Sequence, residues 1–204
     1  FYNKRLVLKI GTSTLTHESG HINIRRFEEL VKVLSDLQNA GVHLIVVSSG
    51  SIAVGVGKIG LREKPGNIPG IQACAAIGQC ELMHLYDTLF SRFNHNVAQL
   101  LLTKDVIDDE IRLKHVQNTL DTLLEMRVIP IINENDTVAI DELVFGDNDT
   151  LSALVGILSD SDALVILSDI DGLYTSNPRT DQSATFIPFV NLGVDQVDHI
   201  AAGV

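Results

Sequence analysis

Apolar positions in this chain fall into short runs, separated by longer stretches of helical spacing. Leu6 to Ile10 is an apolar run of strand length. Between Asn23 and Gly41 the stripe Phe27, Leu30, Val31, Leu34 and Leu37 recurs at helical spacing. Asn23 can cap that helix, and Gly41 can end it. His43 to Val47 is β-branched and nearly all apolar, as in a sheet covered on both faces. Further along, the pattern predicts a long helix from Ile71 to Phe93 and a strand from Val97 to Leu102. A helix comes next from Arg112 to Met126, with Leu113, Val116, Leu120 and Leu124 on one face. Then come a strand from Val128 to Ile132, a short helix from Leu151 to Leu158 and a strand from Leu164 to Leu167.

Five apolar strands alternating with helices predict an α/β fold with a largely parallel sheet. The 204 residues suit one domain with a sizeable core, so a single domain over residues 1–204 is expected. The chain starts at Phe1 without a Met and ends just after Ala201-Ala202-Gly203, so both ends are expected to be cropped. In such sheets ligands bind beyond the carboxyl ends of the strands. The residues just past each strand are therefore where chemistry is sought.

Polar, Gly-containing clusters stand at those points. Lys9-Ile10-Gly11-Thr12-Ser13-Thr14 closes the first strand, and Ser48-Ser49-Gly50-Ser51 the second. Asn133-Glu134-Asn135-Asp136 comes after Ile132. Gly146-Asp147-Asn148-Asp149 comes after the apolar pair Val144-Phe145, and Ser168-Asp169-Ile170-Asp171-Gly172 after Leu167. A Lys inside an apolar strand is costly unless it meets an anion or snorkels to water. The Gly-Thr-Ser turn beside it offers hydroxyls and N–H groups without bulk, suited to a phosphate. The Ser-Ser-Gly turn offers either an ordinary helix cap or donors for a carboxylate. Asn133 to Asp136 reads as a turn or as a substrate contact, with Asp136 facing an ammonium group. Gly146 to Asp149 reads as a turn too, and no Glu closes a Ca²⁺-binding loop of EF-hand spacing. Asp171-Gly172 reads as a surface turn whose polar groups could face an adenosine.

The formal net charge is −11, with no Lys/Arg cluster, which argues against a nucleic-acid partner. Anionic ligands would need a local positive site made by helix N-termini, backbone N–H groups, lysines and Mg²⁺. Apolar residues make up 45 % of the chain, yet no run reaches the length of a membrane span, so no membrane is expected. Cys74 and Cys80, six apart, fit neither a zinc site nor a redox pair. Both are expected to be buried free thiols in a reducing compartment, the cytoplasm. No Walker-type loop and no Gly-x-Gly-x-x-Gly stands after the first strand.

Taken together, Lys9 to Ser13, Ser48 to Gly50, Asn133 to Asp136, Gly146 to Asp149 with Leu151 to Ala153, and Asp171 to Thr175 resemble the glutamate 5-kinases of the amino acid kinase family in order and spacing. The resemblance spans nearly the whole chain. It implies a three-layer αβα sandwich and ATP-dependent phosphorylation of the side-chain carboxylate of L-glutamate, the first step of proline synthesis. By that resemblance Lys9 contacts the transferred phosphoryl group and Asp149 orients the catalytic lysine. Ser49, Asp136 and Asn148 bind glutamate, and Ser168 and Asp169 line the ATP site. Mg²⁺ is carried on the nucleotide, with no protein metal ligand. Proline as a feedback inhibitor, a homo-oligomer and transient contact with a glutamyl phosphate reductase are implied too.

One departure stands out. The family carries a later Gly-rich loop ending in Thr-Lys, and nothing of that kind comes after Gly203. Cropping, not inactivity, is the expected reason, and an accessory C-terminal domain is likewise not visible. Two alternatives stay open: another amino acid kinase, and a catalytically inactive ligand-sensing module on the same fold.

Overall fold

The computed structural model describes residues 2–17, 19–103, 106, 108–138 and 148–191. Val144-Phe145, Gly146 and Asp147, and the chain end at Ala201-Ala202-Gly203, lie outside the described residues. Two compact units divide the chain, Phe1–Leu167 and Ser168–Val204.

In the first unit the elements run β1 (Arg5–Ile10), α1 (Thr12–Leu15), α2 (Ile24–Asn39), β2 (His43–Ser48), α3 (Ser51–Lys58) and α4 (Ile68–Ser91). They continue with β3 (Val97–Leu102), α5 (Glu110–Glu125), β4 (Ile129–Glu134), α6 (Asn148–Leu158) and β5 (Ala163–Leu167). The five strands pair in the order β3-β4-β2-β1-β5, and every pairing is parallel. Their carboxyl ends therefore share one edge. The register sets Ile10 beside Ser48 and Leu167, and Val47 beside Ile132, so the polar residues just beyond them are delivered side by side.

Alternation along each strand divides the core in two, because successive side chains point to opposite faces. Leu8, Ile10, Leu44, Val46, Ile129 and Ile131 pack against Leu15, Phe27, Val31, Leu34, Val54 and the Leu82–Phe90 part of α4. On the other face Val7, Ile45, Val47 and Ile132 meet Leu120 and Leu124 of α5 and Leu151 and Val155 of α6. Helices thus cover the sheet on both sides, the sandwich expected from the sequence. Each fully buried aliphatic or aromatic side chain contributes about 1.5–3 kcal/mol by leaving water.

The caps explain the helix starts. Asn23 accepts from the N–H of Arg26 at 3.2 Å. Asn67 accepts from Gly70, with Pro69 in the first turn of α4, so that helix begins three residues before the predicted Ile71. Asp109 accepts from Ile111 and Arg112, which moves the start of α5 to Glu110. β4 runs on to Glu134, so Asn133 and Glu134 belong to a strand rather than to the loop predicted there. α6 begins at Asn148, not at Leu151. Cys74 is buried as expected, but Cys80 is exposed, because it falls on the outer face of α4.

The second unit contains a two-stranded antiparallel ribbon, β6 (Leu173–Tyr174) and β7 (Phe186–Ile187). Tyr174 and Phe186 meet edge to face, ring centroids 5.6 Å apart. The Tyr174 hydroxyl donates to Asp171 at 2.9 Å. Asp181 accepts from Ser176 and Ser183, which together hold its carboxyl down at about 2. Among the described residues no helix is long and apolar enough to cross a membrane.

Candidate active site

The sequence-predicted residues of the first unit meet at the carboxyl edge of its sheet. Lys9 is the fifth residue of β1, and its side chain is 8 % exposed. A buried ammonium group needs a counter-charge, and its Nζ lies 2.6 Å from Asp149 Oδ1. Asp149 sits in the first turn of α6, where the helix dipole favours an acid. The pair thus joins two elements far apart in sequence.

The turn beside Lys9 is tightly held. Gly11 donates its N–H to the Leu167 carbonyl at 3.0 Å, and Thr14 donates to the Gly11 carbonyl. A Cβ on Gly11 would come 3.1 Å from that Leu167 oxygen and 3.8 Å from Lys9 Nζ. Gly is therefore what lets the β1 turn close against β5. It also means that the Gly11 N–H serves the sheet, not a phosphate.

Ser49 is not the cap suggested by its Ser-Ser-Gly setting. Its N–H donates to the Ile10 carbonyl at 3.0 Å, and Gly50 occupies the cap of α3 with φ 100°. That left-handed conformation suits Gly. The Ser49 hydroxyl instead accepts from Asn148 Nδ2 at 2.7 Å. The same amide nitrogen lies 3.2 Å from the Ser48 carbonyl and 3.1 Å from Asn133 Oδ1. Its hydrogens thus face protein acceptors, and the Asn148 carbonyl oxygen is the end turned away from them. Asn148, which the resemblance assigns to glutamate, thus stands in the wall formed by Ser48, Ser49 and Asn133.

Asp136 lies just past β4 and is half-buried. Its Oδ2 accepts from the Ser51 hydroxyl at 2.7 Å. Burial raises the Asp136 pKa, while the Ser51 hydrogen bond and the charge of Lys64 oppose that rise. A cavity of about 670 Å³ opens here, and Thr12, Ser49, Ser51, Asp136 and Asn148 line it. Arg62, Glu63 and Lys64, from the connection between α3 and α4, line it too. Lys9 and Asp149 are not among its lining residues, so the ion pair and the acceptor-lined cavity are adjacent through Asn148 and Asp149 rather than one surface.

Sequence reasoning missed the residues behind this wall. Asn133 donates to Gln79 Oε1 at 2.9 Å, and the Ser48 and Tyr86 hydroxyls are 3.0 Å apart in the core. Burial pushes the Tyr86 hydroxyl well above its ordinary pKa, and a buried Tyr hydroxyl needs such a partner. Gln79 and Tyr86 lie seven apart on α4, hence on one face. Two polar groups recurring on the inner stripe of an apolar helix were the available signal.

Ser168 and Asp169 open the second unit. The Ser168 hydroxyl donates to Asp169, and Asp169 pairs with Arg179. That ion pair holds the Asp169 carboxyl below its ordinary pKa, the hydrogen bond from Arg179 being the main cause. Among the described residues no group of three or more His, Cys, Asp or Glu is placed to hold a metal ion.

Comparison with known proteins agrees with this geometry. The family model described as the amino acid kinase family matches residues 4–202. A glutamate 5-kinase of Clostridium perfringens is 50 % identical over 205 residues, covering 98 % of this chain and 76 % of the relative. One from Listeria monocytogenes is also 50 % identical, with 98 % of this chain and 74 % of the relative covered. In Carboxydothermus hydrogenoformans the relative of that name is 50 % identical, and 54 % of its length is covered. A match along nearly all of the chain, on a parallel sheet whose carboxyl edge gathers Lys9, Ser49, Asp136, Asn148 and Asp149, has one reading: the chain belongs to the amino acid kinase family.

Proposed function

We propose that this chain transfers the γ-phosphate of ATP to the side-chain carboxylate of L-glutamate, giving L-glutamyl 5-phosphate and ADP, the first step of proline biosynthesis. The observation that carries the reading is the side-by-side placement of a lysine–aspartate pair at 2.6 Å and a cavity lined by Asp136. The first suits a phosphoryl group, and the second an amino acid with its α-ammonium group. The shared name of the relatives, glutamate 5-kinase, supports the choice of acceptor.

The chemistry asks little covalent help from the protein. The acceptor carboxylate is already ionised at neutral pH, with an ordinary pKa of about 4.3, so no general base is needed. One side-chain oxygen forms the new bond to phosphorus as the bond from phosphorus to the bridging oxygen breaks. What the protein must supply is positive charge between two anions. Lys9 supplies it, and Asp149 holds the ammonium group in place. Gly11 fits beside it, because a Cβ there would press within 3.1 Å of the Leu167 oxygen and loosen the turn next to Lys9. A nucleotide-borne Mg²⁺ would add charge neutralisation, and no protein ligand is assigned to it. Asp136 receives the α-ammonium group, with the hydroxyl of Ser49 and the carbonyl of Asn148 in the same cavity wall. Ser168 and Asp169 are assigned to the nucleotide, because they stand directly after β5. Proline also carries a cationic α-nitrogen, a secondary ammonium, beside an α-carboxylate, so feedback inhibition at the Asp136 cavity belongs to this proposal.

The test is ADP release by the full-length protein with ATP, Mg²⁺ and one acceptor at a time. Release is expected with glutamate, and not with aspartate, acetylglutamate or carbamate. Equal release with aspartate would replace glutamate by a broader acceptor class. Binding of glutamate with no release under any condition would favour a ligand-sensing module instead.

A further inference from the structure

We propose that Ser51 is a positioning residue for the acceptor amino acid: its hydroxyl holds the Asp136 carboxylate in the orientation that receives the α-ammonium group. The inference rests on the glutamate reading above.

Three observations carry it. The Ser51 Oγ is 2.7 Å from Asp136 Oδ2, and Ser51 is 3 % exposed. A charge-assisted hydroxyl–carboxylate bond is among the stronger hydrogen bonds of proteins. Second, α3 does not use the hydroxyl. Its cap is Gly50, and no side chain caps the helix. Third, the backbone of Ser51 is clamped. A Cβ on Gly78 of α4 would lie 1.7 Å from the Ser51 carbonyl oxygen. Two helices in such close contact leave Ser51 little freedom to drift, so the hydroxyl is a fixed donor. It ties the loop after β4 to the start of α3, two segments with no covalent reason to keep register. A hydroxyl has one hydrogen to donate, which leaves the second carboxylate oxygen of Asp136 for the ammonium group.

Asp136 must also be ionised to bind a cation. Other charged groups lining the cavity are Arg62, Glu63 and Lys64 between α3 and α4, and Glu134 on β4. Burial favours the protonated acid, and Ser51 and Lys64 favour the ionised one. Without the Ser51 hydroxyl, Lys64 opposes burial with less help. Asp136 then protonates at a higher pH.

The experiment compares S51A and S51T with the unsubstituted protein. In S51A the glutamate KM should rise about ten- to a hundredfold, the loss expected for one hydrogen bond to a charged group. The kcat and the ATP KM should change by less than about threefold, since the hydroxyl does not touch the reacting atoms. The acid limb of kcat/KM for glutamate should move to higher pH. Retaining the hydroxyl, S51T should restore both the KM and the pH profile. In parallel, the side-chain carboxyl carbon of Asp136 is titrated by NMR in ligand-free protein, and its midpoint should rise in S51A. An unchanged midpoint with an unchanged glutamate KM overturns the positioning role. So does a KM that rises equally in S51A and S51T, which would mean disturbed packing. Glutamate turnover by the unsubstituted protein tests the acceptor reading, and the Asp136 midpoint tests Ser51, so each can fail alone.

Discussion

Two aspartates stand at the carboxyl edge of the first unit, and their partners differ in kind. Asp149, itself partly exposed, is matched by the cation of the buried Lys9 at 2.6 Å. Asp136 is bonded to a neutral hydroxyl, and Lys64 acts on it only through its charge. An acid already matched by a buried ammonium group has its charge spent on holding that group. An acid held by a hydroxyl keeps most of its charge for a ligand. The contrast is the ground on which Asp149 is proposed as the orienting carboxylate and Asp136 as the binding one, although both stand beside Asn in polar segments of similar composition.

The largest effect should come from the Lys9 side. Lys9→Ala is expected to lower kcat by about 10²–10³, by analogy with the loss of an oxyanion-stabilising group. Glutamate binding, measured by calorimetry, should be nearly unchanged, because Lys9 does not line the Asp136 cavity. A parallel loss of glutamate affinity would merge the two regions into one. Asp149→Asn should lower kcat with modest KM changes. The double variant should be little worse than Lys9→Ala alone, since groups acting as a unit are not additive. Additive losses in that cycle would make Asp149 an ordinary first-turn acid of α6.

Asp136→Asn comes next. It should raise the glutamate KM about ten- to a hundredfold, from the loss of a charge-assisted bond of about 1.5–3 kcal/mol. The ATP KM should hold. The stability change should have the opposite sense. Because burial raises the Asp136 pKa in the folded state, the folded protein binds the proton more tightly than the unfolded chain. Stability then falls as pH rises through the two pKa values, and above both the ionised Asp136 is a cost. An Asn cannot ionise, so thermal melts at pH 7 should show a Tm equal to or above that of the unsubstituted protein. A large fall in Tm would mean that the loop after β4 is structural.

Gly78→Ala probes the support of that region. Ala normally stabilises a helix relative to Gly by up to about 1 kcal/mol. Here its Cβ would meet the Ser51 carbonyl oxygen at 1.7 Å and the Gly55 nitrogen at 2.6 Å. Overpacking should therefore cost about 1–3 kcal/mol, a fall in Tm of several degrees. Glutamate KM should suffer more than kcat, because α3 carries Ser51 and not Lys9.

The alternation of apolar runs and helical stripes was enough to place all five strands of the sheet. The Phe27–Leu34 stripe, the β-branched run at His43 to Val47 and the paired leucines of α5 are local signals, and local chain geometry answers to them. The identity of Lys9 as a strand lysine needing an anion was legible for the same reason: a charge in an apolar run is conspicuous without any fold. The extension of β4 through Glu134 was not, because Asn and Glu are poor strand formers and only pairing with Leu101 and Leu102 of β3 keeps them extended. Nor was the polarity of Asn148. An amide can donate or accept, and which end faces the cavity depends on Ser48, Ser49 and Asn133, about 100 and 15 residues away.

The sequence alone determined the α/β alternation, the polar turn after each strand and which residues carry charge, because these depend on neighbours within a turn or a strand. The pairing of Asp149 with a lysine was implied by the resemblance, but tertiary structure decided that Lys9 meets it at 2.6 Å across 140 positions of chain, that Ser51 rather than a cation holds Asp136, and that Gly55 and Gly78 let α3 and α4 touch. Those are contacts between segments with no sequence proximity. Parallel pairing sets them by bringing every carboxyl end to one edge, after which side-chain reach and close packing choose the partners.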